Sequence, residues 1–548
     1  MANKDTKTTT PPSEAAPWGD KAAWILTGLS ALGYYFYSTK SPGYYQHDEI
    51  AHYFSMLEFW DDPNKILGNW AKTGYKLVYV IPALLGSKFL LLLNCLVSAL
   101  TVFLTYKTAS IFTKKYAILA AVLLATQPFW IELSFRNYAD SFSGLVLLGT
   151  VLLHYRQKLI PAALLLSYGC LIRQEFYIIG VVYGIYLLVK QKWAPAFLLA
   201  LFPILYNIWG YLHTGELLYL LADAKKTSEI YADQFGKHGF FHFWKTSFVY
   251  WGPVTVALTV LFFLIQGFNA KKGEAARLFG TNPVFVWVPL AIYLLLHSLF
   301  NTEGLGLAAS PNLRYMNAVG PLAAILSALA VAAWPEVKAK ATPYIAGLGI
   351  FLLIAALYMA YRDNGVVLLS EEDNWYGPWF IALITAGLLF VSLSWTNKTL
   401  IYGALALIGG GILLQPKKFG PEDKTMQNLV KWTIKNKKDQ QNILTNHTLF
   451  QYFYEKESGK PHPHQTSIDS AFVHEAPVGS LLIVESHYSL RKDFPAPSTQ
   501  IRDQYLATRS FEGAINGIIQ ENNGNYQVIN QFVSPDQRFG AIVLEKVK

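Results

Sequence analysis

Charge is what this sequence has least of. Asp, Glu, Lys and Arg make up 15% of its 548 residues, against roughly 25% in a typical soluble domain. That shortage excludes a disordered chain, a coiled coil and an ordinary cytosolic enzyme. Cysteine is nearly missing: Cys95 and Cys170 both lie in apolar runs. There is no disulfide framework and no zinc spacing. An acidic surplus is also absent, because 45 Lys and Arg face 36 Asp and Glu, a net charge of +9. Such a balance raises the question of nucleic acid. The basic residues, however, sit in short clusters between apolar stretches, a pattern that sets membrane topology rather than one that reads phosphates. Nucleic acid is not an expected partner.

What the chain does have is apolar sequence, 53% of it, with a mean hydropathy of +0.26. A bilayer core of about 30 Å takes about 20 helical residues. Spans are expected near Ala22–Tyr37, Leu77–Tyr106, Tyr116–Ile131, Phe142–Tyr155, Ile160–Ile172, Phe176–Val189, Trp193–Tyr211, Phe248–Phe268, Val284–Phe300, Ala318–Trp334, Tyr344–Tyr361, Trp379–Trp395 and Leu400–Leu414. The expectation is an α-helical polytopic membrane protein of about thirteen spanning or half-spanning helices. Pro82 and Gly86 divide the long second run into an interfacial start and a true span. The first segment lacks a small-x-small cleavage site and reads as a retained signal anchor. With the N-terminus cytoplasmic, the inner loops gather Lys107, Lys114, Lys115, Arg156, Lys158, Lys190, Lys192, Lys271 and Lys272. The expected organisation is a cytoplasmic tail (1–21), a membrane domain (22–414) whose first outer loop is 38–76, and a periplasmic domain (415–548). A bacterial inner membrane is the expected location.

The last part is polar, with apolar residues in short groups. Lys424–Lys435 and Leu449–Tyr454 read as helices; Ile443–Asn446, Ser480–Glu485, Tyr526–Val533 and Phe539–Val547 read as strands, the last two joined by Ser534-Pro535-Asp536. A small α/β domain is expected.

The polar residues that stand out lie on one side. Tyr44-Tyr45-Gln46-His47-Asp48-Glu49 follows the first span, with Lys72 and Lys76 later in the same loop. Asp48 also suits a helix N-cap with Glu49 in the first turn. Glu132, Arg136 and Asp140 end the third span; Glu132 is placed to pair with Arg136 one turn on, and Asp140 to cap the next helix. Arg173-Gln174-Glu175 sits between two apolar segments too short to span, so its charges are held within the membrane depth. Charge there marks a functional site by default, although Arg173 and Glu175 also suit a structural ion pair. Arg314-Tyr315, before Pro321, opens another outward-to-inward span, where both also serve as interface anchors. The aromatic and basic loop 233–242 suits a membrane surface. His462 and His464 read as a surface loop.

These residues resemble the polytopic glycosyltransferases of the GT-C class: protein O-mannosyltransferases, the aminoarabinose transferases of lipid A, and bacterial relatives of dolichyl-phosphate-mannose–protein mannosyltransferase. His47-Asp48-Glu49 matches the family's catalytic acidic position in the first outer loop, and Asp140 its second acidic position. Arg173-Gln174-Glu175 resembles its Arg-Pro-Glu-like segment, and Asn312-Leu313-Arg314-Tyr315 with Pro321 its Arg-Tyr plus proline segment. The match covers about Trp24–Leu414 in topology. The first loop departs from the family's Asp-x-Asp, Gln174 stands where proline is common, and Lys72-Thr73-Gly74-Tyr75 follows the basic-Pro-Gly-aromatic pattern only loosely.

The resemblance implies inverting transfer of one hexosyl or pentosyl unit from a polyprenyl-phosphate donor to a hydroxyl on a protein, lipid or glycan. Asp48 is then the general base, Glu49 and Asp140 orient hydroxyls, and Arg173, Glu175, Arg314, Tyr315, Lys72, Lys76 and His47 bind substrate. The one cofactor left open is a divalent cation, held by Asp48 and Asp140 if one binds. A lipid-linked sugar transporter would show symmetric halves and charges near the midplane; an O-antigen ligase would centre on one large late loop. Here the acids come early.

Overall fold

The computed structural model describes residues 19–44, 46–68, 70, 72–234, 237–270, 281–303, 310–336, 398–414, 416, 418–459, 465–492 and 494–548. The expected spans Tyr344–Tyr361 and Trp379–Trp395 lie outside the described residues, as do His462 and His464.

Apolar runs become helices where nothing interrupts them. The first, α1 (Gly19–Lys40), overruns the expected segment at both ends. It presents Trp24, Ile25, Leu29 and Leu32 outward, a stripe that lipid solvates and water would not. A turn leads into α2 (His47–Glu58), whose inner face buries Ile50, Tyr53, Phe54 and Met56. The next run divides as its sequence dictates, into α3 (Thr73–Ala83) and α4 (Ser87–Ala109). Pro82 withholds an amide donor, and Gly86 adopts a φ of 91°, a conformation that L side chains avoid. The stretch read as one span from Tyr116 to Ile131 is two helices, α5 (Ala117–Ala125) and α6 (Pro128–Leu133). Pro128 forces Gln127 into an extended conformation and starts a new helix.

The bundle continues through α7 (Ala139–Tyr155), α8 (Leu159–Gly169), α9 (Glu175–Val189), α10 (Trp193–Leu198) and α11 (Leu201–Thr214). The expected loop after α11 holds a helix that its polar sequence does not announce, α12 (Tyr219–Gln234). Short α13 (His242–Lys245) and α14 (Ser247–Trp251) lead to α15 (Pro253–Ala270) and α16 (Val284–Phe300). Helix α17 (Leu313–Glu336) opens as a tight 3₁₀ coil through Val319 and occupies the centre of the bundle. The last described membrane helix is α18 (Lys398–Leu413). Among the described residues, α4, α10–α11 together and α17 are long and apolar enough to cross a bilayer alone. Helix α8 has 11 residues, about 17 Å of rise, short of a bilayer core of about 30 Å.

The C-terminal part is an α/β domain: α19 (Pro421–Lys435), β1 (Ile443–Leu444), α20 (Thr448–Ser458), β2 (Gln465–Thr466), α21 (Ser470–Glu475), β3 (Leu481–Glu485), α22 (Thr499–Thr508), α23 (Phe511–Glu521), β4 (Tyr526–Val533) and β5 (Gly540–Lys546). The sheet order is β2-β1-β3-β5-β4, parallel on the β1 side and antiparallel around β5. Alternate side chains on a strand face opposite ways, and here each face has its own core. Leu444, Leu482, Val484 and Leu544 pack with Ile515 and Ile518 of α23. Ile443, Leu481, Ile483 and Val543 join the core cluster that runs on through α20 into the membrane bundle. The domain therefore sits on the end of the bundle that carries α2, and the two share one hydrophobic core.

Candidate active site

The start of α2 is tied down residue by residue. Gln46, the N-cap, accepts a hydrogen bond from the Tyr138 hydroxyl at 2.5 Å. The His47 Nδ1 lies 2.9 Å from Thr448 Oγ1 of the C-terminal domain. Asp48 Oδ2 accepts from an Arg314 nitrogen at 3.1 Å. Glu49 accepts from Arg136 Nε at 2.5 Å, from a second Arg136 nitrogen, and from the Asn137 amide at 3.2 Å. Four consecutive side chains thus reach three separate parts of the molecule, the 136–138 segment, Thr448 and Arg314.

Two of these ties revise the sequence reading. Arg136 is held by Glu49 of another loop, so its expected pairing one turn back with Glu132 is not the contact that fixes it. Both members are wholly buried, and Glu49 has no surface open to a substrate. Its carboxylate ties the first turn of α2 to Arg136 and Asn137. The N-cap reading of Asp48 also fails, because Gln46 takes that position.

The remaining charges assemble around Tyr315. The Arg314 guanidinium lies 5.5 Å from the Tyr315 ring centroid and the Arg173 guanidinium 4.2 Å from it. Arg314 also covers the Tyr138 ring at 3.9 Å. Arg173 donates to Asp140 at 3.1 Å and to Glu175 at 3.0 Å. His297 of α16 adds a nitrogen 2.7 Å from Glu175, a partner that no sequence spacing announces. Asp140 is in the first turn of α7, where Tyr138 rather than Asp140 is the cap. The structural ion pair foreseen for Arg173 and Glu175 exists, as one part of a buried four-residue network. Asp48 differs from the other acids, with 37% of its side chain exposed.

The two lysines lie near this cluster, Lys72 within the electrostatic reach of Arg173, Glu175 and Asp140 and Lys76 within that of Asp48. Lys72 is half-buried at the start of α3, with a φ of 55°. Burial first, and then the nearby Arg173 charge, hold its amine down at about 8. Lys76 is fully buried and donates to Ser55 Oγ at 2.6 Å; burial holds it down at about 7. The position of Lys72 follows from a close approach. The Gly74 amide donates to the Leu171 carbonyl at 2.9 Å, and a Cβ there would stand 2.8 Å from Ile172.

Beneath the charges lies an apolar cavity of 360 Å³ between α7, α8, α9 and α16. Ile179, Tyr183, Tyr186, Phe285 and Ile292 line it, and Ile179 is one helical turn beyond Glu175. For a divalent cation the residues do not fit. Among the described residues no group of three or more His, Cys, Asp or Glu has the geometry to hold a metal ion, and Asp48 and Asp140 are held by different arginines.

No family model and no curated protein matches the sequence. Solved structures do. ArnT from Cupriavidus metallidurans bound to undecaprenyl phosphate aligns with 95% of this chain and 97% of its own, at a TM-score of 0.56 and 12% identity. The fold is that of the GT-C glycosyltransferases. The apo state of the same ArnT matches over 95% and 98%, again at a TM-score of 0.56. The Archaeoglobus fulgidus oligosaccharyltransferase, tethered to an acceptor peptide, aligns with 96% of this chain and 74% of its own, at a TM-score of 0.45 and 12% identity. The alignment with ArnT takes in nearly the whole chain, C-terminal domain included.

Proposed function

We propose that this GT-C-fold chain is an inverting membrane glycosyltransferase, moving a sugar from a polyprenyl-phosphate donor to an acceptor hydroxyl on a protein, lipid or glycan. Its N-terminus faces the cytoplasm and its C-terminal domain the periplasm. The observation that carries the reading is Arg314. Its Nε and Nη1 are buried without hydrogen-bond partners among the described residues, while its remaining nitrogen holds the half-exposed Asp48. A buried unpaired donor costs about 1–3 kcal/mol, a cost that a phosphate oxygen removes. The undecaprenyl phosphate bound to the C. metallidurans ArnT and the apolar cavity below Glu175 both fit a lipid phosphate with its chain in the bundle.

The chemistry then follows from the charges. Asp48 Oδ1 takes the acceptor hydroxyl proton as that oxygen attacks the anomeric carbon. The bond from that carbon to the phosphate oxygen breaks, its electrons stay on the phosphate, and polyprenyl phosphate leaves. One displacement inverts the sugar. Arg314, with Arg173 behind Tyr315, neutralises the leaving phosphate; Asp140, Glu175 and His297 orient Arg173. Lys72 and Lys76 add positive charge at the approach. Donor phosphate competes with Asp48 for Arg314, so binding the donor loosens the ion pair and frees the base to act. Base catalysis of this kind gives roughly 10²–10⁴-fold.

The test uses a deletion strain complemented with variants at equal membrane abundance, read by mass spectrometry of surface glycoconjugates. Asp48→Asn and Arg314→Ala are each expected to abolish the sugar addition that wild type restores. Full restoration by Asp48→Asn removes Asp48 as the base, and full restoration by Arg314→Ala removes the phosphate assignment.

A further inference from the structure

We infer that the C-terminal domain completes the active site, with Thr448 and Tyr488 clamping His47 so that Asp48 stands where the acceptor proton is transferred. The inference rests on the reading of Asp48 as the base. It makes His47 a positioning residue, not a group that meets substrate.

The contacts are specific. Thr448 is the first residue of α20, and its hydroxyl meets His47 twice: the ring Nδ1 at 2.9 Å and the main-chain carbonyl at 3.5 Å. One hydroxyl serves both when Nδ1–H donates to it and its own proton goes to the carbonyl. The Tyr488 ring lies 3.9 Å from the imidazole, between centroids, and Phe494 at 5.6 Å. His47 is only 7% exposed. Burial, and then the neighbouring His447, hold its pKa well below the ordinary histidine value, so the ring is neutral and fills the clamp without a charge to solvate.

The clamp has a rigid backing. Glu422 of α19 lies 3.0 Å from His447 Nε2 and 2.9 Å from His487 Nδ1. His487 stacks on Tyr488 with ring centroids 4.0 Å apart. The buried Glu485 carboxylate accepts from the His487 amide at 2.6 Å, the Tyr488 amide at 3.0 Å and the Ser489 hydroxyl at 2.8 Å, which fixes the loop after β3. Three segments of the domain therefore converge on one imidazole.

The consequence for Asp48 is geometric. His47 and Asp48 share the first turn of α2, so the helix cannot turn without moving both. Gln46 and Glu49 fix that turn from the 136–138 side; His47 fixes it from the C-terminal domain. A misplacement near 1 Å in a reacting group costs as much as about 100-fold in rate.

The experiment compares full-length wild type, Thr448→Val, Thr448→Ser and Asp48→Asn. Purified enzyme is titrated with membranes of the deletion strain, which hold the native donor and acceptor. Thr448→Val keeps the shape and loses the hydroxyl. It is expected to lower kcat by roughly 10- to 100-fold with KM for membrane-borne substrate and Tm unchanged, and Thr448→Ser to restore most of kcat. Wild-type kcat in Thr448→Val beside an inactive Asp48→Asn overturns the positioning role alone. Equal loss in Val and Ser variants, in step with a fall in Tm, also overturns it, because the hydroxyl is then only part of the packing. Thr448→Ala stands in if the valine variant fails to fold, with the same two overturning results. Full activity of Asp48→Asn overturns the base reading on which the inference stands.

Discussion

At the scale of single residues, the acids that resemble one another in sequence part company once their surroundings are known. Asp48 and Glu49 are neighbours, yet one is half-exposed beside a guanidinium with spare donors and the other is sealed behind Arg136. Removing one member of a buried pair leaves the other charged and unpaired, at about 3–5 kcal/mol. Glu49→Gln and Arg136→Met are therefore each expected to lower Tm strongly in detergent, whereas Asp48→Asn, read by the same thermal melts, leaves Tm near wild type. The lysines give a pH prediction. Lys72 and Lys76, held near 8 and 7, would be raised by an arriving phosphate. Below pH 7 both already carry their protons. As pH rises through 7 and 8, binding must take protons up, so affinity falls. Undecaprenyl phosphate binding measured from pH 6 to 9 is expected to weaken above pH 7, and the double variant Lys72→Gln/Lys76→Gln to lose that slope. The scarcity of charge in a membrane protein singles these residues out in the sequence. Spacing could not reveal their pairings: Arg136 finds Glu49 across two loops, and His297 finds Glu175 across two helices.

At the scale of elements, proline and glycine made the breaks readable. Pro82 and Gly86 divide α3 from α4, as their chemistry requires. Pro128 divides α5 from α6 by the same physics, but the apolar run around it hides the break. The strands β4 and β5 were legible from alternation and the turn between them. Strand β1 falls where Ile443–Asn446 reads as a strand, the two-residue β2 gives too short a pattern, α12 lies in an expected loop, and α22 and α23 lie in stretches whose pattern announces no element. The joint between α3 and α8 is the element on which the approach to the site depends. Gly74→Ala would press a methyl group against Ile172 and the Leu171 backbone, at about 1–3 kcal/mol. The expected result is a lower Tm together with weaker undecaprenyl phosphate binding, as Lys72 moves away from Arg173. Gly180→Ala is the contrast, since nothing stands within 4 Å of its added carbon; binding there is expected to stay at the wild-type value.

At the scale of the whole molecule, a chain that reads as a membrane domain plus a polar tail is joined by one hydrophobic core. The face of the sheet formed by Ile443, Leu481, Ile483 and Val543 belongs to the same core as the bundle. Stopping the chain after Leu414 would expose that core and release His47. Such a truncation is expected to reach the membrane but to restore no glycoconjugate in the deletion strain and to melt well below the full-length protein. Wild-type glycoconjugate from the truncated chain would falsify the shared-core reading. The tie between His47 and Thr448 also has a meaning in time. Synthesis runs from the amino end, so α2 enters its place long before the residues that clamp it exist. On the proposed reading of Asp48, the base stays unlocked until the segments that carry Thr448 and Tyr488 have left the ribosome and docked on His47. On the same reading, a chain stopped before Thr448 would be silent and would consume no lipid-borne sugar while it is being made.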